Sequence, residues 1–452
     1  LSDNGNSFAN YEQRTRLNVR GDFTDNVSAF IEFDVYNVWS EDFRSNYITG
    51  VDARGGSDVE LYQSYIEANE MFGAPLRLRI GRQELAFGSG FLVGANSSSP
   101  YFAGLSFDAI RATYKTDMFS VDAFTAKLDE RSPLEQDGDV DFYGLYGSYT
   151  GVENMSFDAY WMMVRDARSV ADTYNGFVAE WLEDVIGVDD YDVTTLHTVG
   201  LRGAGTVDAL SFEAEVAYQF GNADIVSWGF FAPFGVLSPY GDDGADFGEW
   251  AGNLEVSYAF DMAWTPELFA GAAYFGGEDQ RDLDFVEWMA TVFCPFYASD
   301  ASLSFNRLFS DKVYSYFLDS NRNLSNVWLA NFGVSANPTE CVKLTLMGTY
   351  FQSLEAYDVT WPVINILGLR ITPFNDLSFI SQENDDDLGW ELVAKANYAY
   401  SEDLSFEVGY SHFFTGNGLE EGSFNLQNGL AFDGGKDDED MDYFWFETKL
   451  AF

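Results

Sequence analysis

Along most of this chain every second residue is apolar and the residues between are polar or ionised, in segments of about ten residues, and a period of two confines such segments to β-strands. The first hairpin shows the pattern. Tyr11, Gln13, Thr15, Leu17 and Val19 share one face, and Glu12, Arg14, Arg16, Asn18 and Arg20 share the other. Gly21-Asp22-Phe23-Thr24-Asp25-Asn26 reads as the turn, after which Val27, Ala29, Ile31, Phe33 and Val35 oppose Ser28, Glu32 and Asp34. The alternation returns at Phe212, Ala214, Val216, Tyr218 and Phe220 against Glu213, Glu215 and Gln219. It returns again at Trp390, Leu392, Ala394, Ala396 and Tyr398 against Glu391, Lys395 and Asn397. Rows of ionised side chains cannot face hydrocarbon, so one face meets lipid and the other a wet, enclosed bore.

The punctuation agrees. Short turns such as Gly151-Val152-Glu153-Asn154 and Ser401-Glu402-Asp403 alternate with long, acidic loops. The expected fold is therefore all-β: one transmembrane antiparallel β-barrel over residues 1–452, of sixteen to eighteen strands, with short periplasmic turns and long acidic extracellular loops. The 17% aromatic residues suit interfacial girdles, 41 Gly suit tight turns, and only 10 Pro suit long strands. No run of about 18 apolar residues exists, so the sequence predicts no transmembrane helix. The polar start at Leu1-Ser2-Asp3 is read as a trimmed form without a signal peptide.

The last alternating segment places Phe444, Phe446, Thr448, Leu450 and the terminal Phe452 on one face, resembling the insertion signal read by the outer-membrane assembly machinery. About seventeen strands can be counted, an odd number. Single-chain bacterial barrels are normally even, so the reading expects one strand upstream of Leu1, or one miscounted inside a long loop. Two loops are especially long, about Gly277 to Asn326 and about Glu355 to Asp387. The first contains Asp300 to Asp319, where a short helix is expected. A loop of such length either folds inward and narrows a pore or forms a solvated outer lid.

Three stretches resemble the alginate-export family of outer-membrane barrels. They are Gln13-Arg14-Thr15-Arg16-Leu17; Leu78-Arg79-Ile80-Gly81-Arg82-Gln83-Glu84-Leu85, with Ser106-Phe107-Asp108-Ala109-Ile110-Arg111 beyond an aromatic, Gly-rich loop; and Phe305-Asn306-Arg307-Leu308-Phe309, followed by Tyr314 and Tyr316. The resemblance covers nearly the whole chain. It implies an eighteen-stranded monomeric barrel in the outer membrane of a Gram-negative bacterium, in contact with lipid and lipopolysaccharide. Many members are porin-like with unassigned cargo.

Alternation also predicts a site. Arg14, Arg16, Arg20, Arg77, Arg79 and Arg111 are placed inward on neighbouring strands, with Glu32, Asp34, Glu67 and Asp108 from the same strands. A basic ladder facing an acidic one would form a constriction that sorts solutes by charge; the bland alternative is a salt-bridge network that stiffens the wall. Arg82 and Arg111 are out of phase with their neighbours, so a bulge is expected there. The rest of the inward set is mixed, with Asp122, Asp158, Glu213, Glu215, Glu255, Glu391, Glu407 and Glu447 against Arg202, Lys343, Lys395 and Lys449. Such a lumen departs from the basic one that suits a polyanion, and favours cations or neutral solutes.

With 73 acidic and 24 basic residues the formal charge is −49, which excludes a nucleic-acid partner. Much of the excess sits in loops, where a halophilic or marine source is one explanation. Asp242, Asp243, Asp385, Asp386, Asp387, Asp437 and Asp438 are weak candidates for Ca²⁺ or Mg²⁺; a solvated, repulsive rim is the competing reading. No cofactor is expected. His197 and His412 lie in no hydrolase or zinc-protease motif, so no enzyme is expected and both are read as wall or girdle residues. Cys294 and Cys341 are expected at opposite membrane faces, too far apart to pair. The function expected is a passive outer-membrane channel for diffusion or export of small hydrophilic or charged solutes. The alternatives are a structural sheath around an electron-transfer or surface assembly, and an acidic extracellular β-protein.

Overall fold

The computed structural model describes residues 9–39, 44–46, 51–54, 59–97, 104–130, 139–167, 193–222, 245–277, 301–354, 364–366, 369–371, 386–421, 424–425, 431–432 and 440–452. Within them the alternating segments are strands joined as hairpins. β1 (Glu12–Thr24) and β2 (Val27–Val38) come first, then β3 (Glu60–Ala68) with β4 (Leu76–Gln83), and β5 (Phe107–Lys115) with β6 (Phe119–Asp129). β7 (Val140–Tyr149) and β8 (Met155–Asp166) are followed by β9 (Thr194–Val207) with β10 (Leu210–Asn222), and β11 (Trp250–Ala259) with β12 (Glu267–Phe275). β13 (Val327–Thr339) and β14 (Val342–Ser353), β15 (Asp387–Ala399) and β16 (Leu404–Thr415), and finally β17 (Met441–Leu450) complete the wall. Together with the three-residue strands Ala245–Phe247 and Ala301–Leu303, these seventeen form one 19-stranded sheet.

Each wall strand pairs antiparallel with the next in sequence. Among the described residues β1 pairs with β2 and β17 with β16, and no ladder joins β1 to β17. The short connections are tight. Asp25-Asn26, Asp208-Ala209 and Glu340-Cys341 each close a hairpin with two residues, and Asp208 takes the left-handed conformation such turns need. The first turn is shorter than the sequence suggested. Gly21 to Thr24 stay in β1, with a register shift between Asp22 and Thr24 that absorbs the extra length.

The burial pattern is inverted relative to a water-soluble protein. Leu17, Leu201, Phe332, Phe444 and Phe446 are all at least 61% exposed, whereas Glu32, Asp34, Glu67, Asp122, Asp158 and Glu215 on the other face are buried. The outward face would be unstable in water and is stable against hydrocarbon, where strands between two neighbours have their backbone groups paired within the sheet. Two outward aromatic rows bound it. Toward the long-loop end, Trp161 stacks on His197, His197 on Phe220, and Tyr218 packs on Trp250; further round, Tyr350 lies between Trp328 and Trp390. Toward the short turns, Phe406 lies between Tyr398 and Phe446, and Tyr258 meets Phe260. The pairs Trp250 and Tyr258, Trp390 and Tyr398, and Phe414 and Phe406 stand eight residues apart on their strands. At about 3.4 Å per residue and a tilt of about 40°, that spacing is roughly 20 Å of apolar band, the scale of an outer-membrane barrel.

The apolar core lies inside the wall rather than between layers. Phe107, Phe142, Phe275, Phe351 and Phe413 sit at the long-loop ends of their strands and point inward, where they surround Leu85, Phe91, Phe305 and Leu324. These last four belong to two connecting segments, 84–97 and 304–326, that fold into the interior.

Candidate functional site

Most of the residues predicted to line a constriction are brought together on the inner face of β1 to β6, but in interleaved pairs. Arg14 binds Asp34 at 2.6 Å, Arg79 binds Glu67 at 2.7 Å, and Arg111 binds Asp122 at 2.8 Å. Arg16 lies 3.7 Å from Glu32, 3.6 Å from Asp34 and 3.5 Å from Glu84. Arg20 reaches Asp22 at 3.1 Å and Glu67 at 4.0 Å. Arg77 donates to Thr113 Oγ1 at 3.3 Å. The arginines are thus not set apart as a basic row opposite an acidic one: all but Arg77 lie within 4.0 Å of a carboxylate, so most of the charge cancels within the wall.

Asp108 is not part of this set. It alternates with the inward Phe107 and Ala109, faces outward beside Ile110, and pairs with Arg82 at 2.8 Å. The bulge expected near Arg82 and Arg111 is also absent from the ladder. β4 and β5 keep an unbroken register from Leu76↔Tyr114 to Gln83↔Phe107, and Arg111 is in phase with Ala109 and Thr113. The local irregularity is Gly81 at φ +125°, where a Cβ would stand 2.3 Å from the Ser64 carbonyl oxygen.

Of the two inserted segments, 304–326 lies within the long loop Gly277 to Asn326, for which the sequence leaves an inward fold and an outer lid both open, whereas 84–97 was not read as an insert. They meet each other inside the barrel: Phe309 N donates to Leu92 O at 2.8 Å, Gly94 N to Phe309 O at 2.9 Å, and Asp311 N to Gly90 O at 2.8 Å. The stretch around Asp300 to Asp319 holds no helix among its described residues. Its fold is set instead by one buried ion pair. Arg307 Nη1 meets Asp319 Oδ1 at 2.7 Å, with both side chains at most 1% exposed, and its guanidinium lies 4.8 Å from the Phe275 ring centre and 5.0 Å from that of Tyr314. Asp319 also accepts the backbone N–H groups of Tyr314 at 2.9 Å and Leu324 at 3.1 Å. Tyr314 donates to Asn253 Oδ1 at 3.0 Å, and burial pushes its phenol well above the usual tyrosine range, so it remains a neutral donor.

The first inserted segment is tied to the arginines. Tyr62 donates to Glu84 at 2.7 Å and carries the Arg16 guanidinium 4.5 Å from its ring centre, while Gln63 binds Glu32 at 2.6 Å and the Glu84 backbone N–H at 3.1 Å. Alternation alone could not single out Tyr62, Gln63 and Glu84, which act as the joint between wall and insert.

A second charged group faces the lumen from β8 to β11. Arg202 binds Asp158 and Glu213, each at 2.7 Å, and Lys312 of the second insert reaches Glu255 at 2.6 Å. Tyr146 and Tyr160 stack at 5.5 Å and donate to Asp158 at 2.9 Å and Glu215 at 2.8 Å. Four carboxylates here face two cations. On β15 to β17, Glu391 accepts from Ser411 at 2.7 Å and from the Tyr316 backbone at 3.2 Å, and Trp445 donates to Glu407 at 2.8 Å beneath the Tyr316 ring.

The remaining candidates lie elsewhere. Asp242, Asp243, Asp385, Asp437 and Asp438 are outside the described residues, as is Cys294. Asp386 accepts from the Gln352 side chain and Asp387 from Gly389 N, so both tie down the entrance to β15. No group of three or more His, Cys, Asp or Glu among the described residues is arranged to hold a metal ion. Cys341 is an exposed, free thiol in its turn. His197 lies within the outward aromatic row, and His412 faces outward 2.8 Å from Asp442.

The alginate export family matches residues 4–428 of this chain. Among solved structures, Acinetobacter baumannii OccAB1 is similar at 10% identity, over 97% of this chain and 90% of that one, with a TM-score of 0.52. The outer membrane protein OprD from Pseudomonas aeruginosa is similar at 12% identity over 97% and 87%, with a TM-score of 0.49. Pseudomonas aeruginosa OccK8 is similar at 10% identity over 89% and 88%, with a TM-score of 0.48. No curated protein matches. With its exposed apolar belt, charged interior and match over residues 4–428, the chain belongs to the alginate export family, porin-like barrels of the Gram-negative outer membrane.

Proposed function

We propose that the chain acts as a single barrel domain and a passive channel, carrying small cations or neutral hydrophilic solutes past a constriction formed by the segments 84–97 and 304–326. The observation that carries this reading is the imbalance of inward charge. On β1 to β6, Arg14, Arg79 and Arg111 are matched by carboxylates at 2.6–2.8 Å and Arg16 and Arg20 by carboxylates at 3.1–4.0 Å, whereas Asp158, Glu213, Glu215 and Glu255 share Arg202 and Lys312. In a narrow passage of low dielectric, uncompensated carboxylates concentrate cations and repel polyanions. The same balance argues against alginate, a polyanion, as the cargo. No catalytic group and no cofactor enter this mechanism, and a single chain suffices for it.

Residues of the predicted constriction serve here mainly as wall. Arg14, Arg16, Arg111, Glu32 and Asp34 support the joint with the first insert, the Arg79–Glu67 pair ties β3 to β4, and Arg20 and Arg77 face the lumen below that joint. The sheath reading loses support because the chain's own segments occupy the bore. The test is reversal potential in planar bilayers across a KCl gradient. Cation preference is expected, falling severalfold in the Glu213→Gln/Glu255→Gln variant; anion preference in the unmodified protein would sink the proposal.

A further inference from the structure

The outward face carries one feature that the lipid-facing pattern leaves unexplained. Across β4 to β8, five ionised residues stand opposite one another in register on that face. Arg82 is the partner of Asp108, Asp108 of Lys127, Lys127 of Asp141, and Asp141 of Arg165. The row alternates in sign along its whole length. Lys127 also reaches Glu130 at 3.3 Å and Asp139 at 2.5 Å, besides Asp141 at 2.9 Å. The side chains of Arg82, Asp108 and Lys127 are 46%, 56% and 44% exposed.

The apolar belt is narrow where this row begins. Along β10 the outward positions Leu210, Phe212, Ala214, Val216, Tyr218 and Phe220 are apolar or aromatic. Along β4 only Leu76, Leu78 and Ile80 precede Arg82, and along β5 only Tyr114, Ala112 and Ile110 lie between the short turn and Asp108. The belt is therefore about half as high on β4 and β5 as on β10, and it regains height across the arc, running from Met155 to Met163 on β8, where Arg165 lies beyond Trp161 of the upper aromatic row. An exposed ion pair is worth little by itself, and ionised groups facing hydrocarbon are costly. Lipid headgroups must come down to Arg82 and Asp108 at the β4–β5 end of the row, and a thinned bilayer meets a short belt in that way.

We infer that this arc is a binding shelf for the phosphorylated glycolipid of the outer leaflet, with Arg82, Lys127 and Arg165 as its phosphate ligands. The inference rests on the outer-membrane placement of this face and is independent of what the lumen conducts. Strands lie about 4.8 Å apart, so the three cations, on alternate strands, repeat at about 10 Å. That repeat suits a lipid bearing more than one phosphate. The carboxylates between them, with Glu130 and Asp139, leave the shelf one charge more negative than positive, so divalent cations that already bridge neighbouring phosphates are drawn in too. Arginine favours phosphate geometrically, and Lys127 supplies a point charge between the two arginines.

The test uses the full chain in detergent and two probes: lipopolysaccharide with a bis-phosphorylated lipid A, and the same lipid after removal of both phosphates. Bound lipid per barrel is counted by native mass spectrometry across a titration. The unmodified protein is expected to bind the phosphorylated probe at least about tenfold more tightly than the dephosphorylated one. The Arg82→Gln/Lys127→Gln/Arg165→Gln variant is expected to lose that difference while keeping its single-channel conductance. Equal binding of the two probes by the unmodified protein would overturn the inference without recourse to any variant. So would crosslinking of Lys127 to a second copy of the chain in native membranes, which would make the arc a self-contact. A change in ion selectivity with intact lipid binding would bear on the channel proposal alone.

Discussion

Arg307 shows how much of the interior depends on single residues. Its ion pair with Asp319 is sealed between the Phe275 and Tyr314 rings, out of reach of water. Removing one partner of such a pair strands a buried charge at a cost of about 3–5 kcal/mol. The Arg307→Met substitution should therefore leave the wall folded and release segment 304–326. Limited proteolysis should cut within the segment, and single-channel conductance should rise; an unchanged conductance would show that the segment does not narrow the passage. In the sequence Arg307 stood out only as part of a stretch resembling the family, since no periodicity marks an irregular segment. Asp108 fails for a related reason. Its sequence neighbours are apolar on both sides and permit either face, and the burial of Phe107 and Ala109 together with the pairing with Arg82 shows that it looks outward. A second residue-scale prediction concerns Asp34, which holds Arg14 at 2.6 Å and lies 3.6 Å from Arg16. Asp34→Asn should leave the guanidinium groups partly unmatched and shift reversal potential toward anions, with the shift lost in the Arg14→Gln/Asp34→Asn double variant.

At the scale of elements, the strands were legible, the second insert was legible only as a long loop with two possible placements, and the first insert was not read as one. A strand's inward and outward sets follow from local alternation, which is why the faces of Tyr11 to Arg20 and of Phe444 to Phe452 could be assigned without coordinates. The two inserts exist because of contacts between residues far apart in sequence, such as Ser310 Oγ with the Gly90 carbonyl at 3.4 Å. Their glycines carry that contact. A Cβ on Gly94 would lie 2.3 Å from Asp311 Cβ, and one on Gly90, at φ +77°, would lie 3.0 Å from the same atom. The Gly-rich character of the loop between Leu85 and Ser106 was visible, yet its reason, close approach to a second segment, was not. Gly94→Val should separate the inserts without disturbing the sheet. Unchanged far-ultraviolet circular dichroism with a severalfold increase in permeation of a small sugar would bear this out; unaltered permeation would mean that the inserts pack independently of each other.

For the molecule as a whole, the governing fact is that its two surfaces meet different solvents. The −49 charge would oppose compaction in a water-soluble chain of this size, but a barrel wall keeps inward carboxylates hydrated or paired and sends none of that repulsion through an apolar layer. The two faces should therefore respond oppositely to the same substitution. Ala394 faces outward between Leu392 and Ala396, midway between Trp390 and Tyr398, whereas Ser257 faces inward beside Glu255. Ala394→Arg should lower folding stability in bilayers by about 2–4 kcal/mol, and Ser257→Arg, which adds a cation among carboxylates, by less than about 1 kcal/mol. Equilibrium unfolding by guanidinium in thin-lipid vesicles measures both. Equal penalties would mean that the outward face does not meet hydrocarbon, and the assignment of inside and outside, on which the channel and the lipid shelf both depend, would fall together.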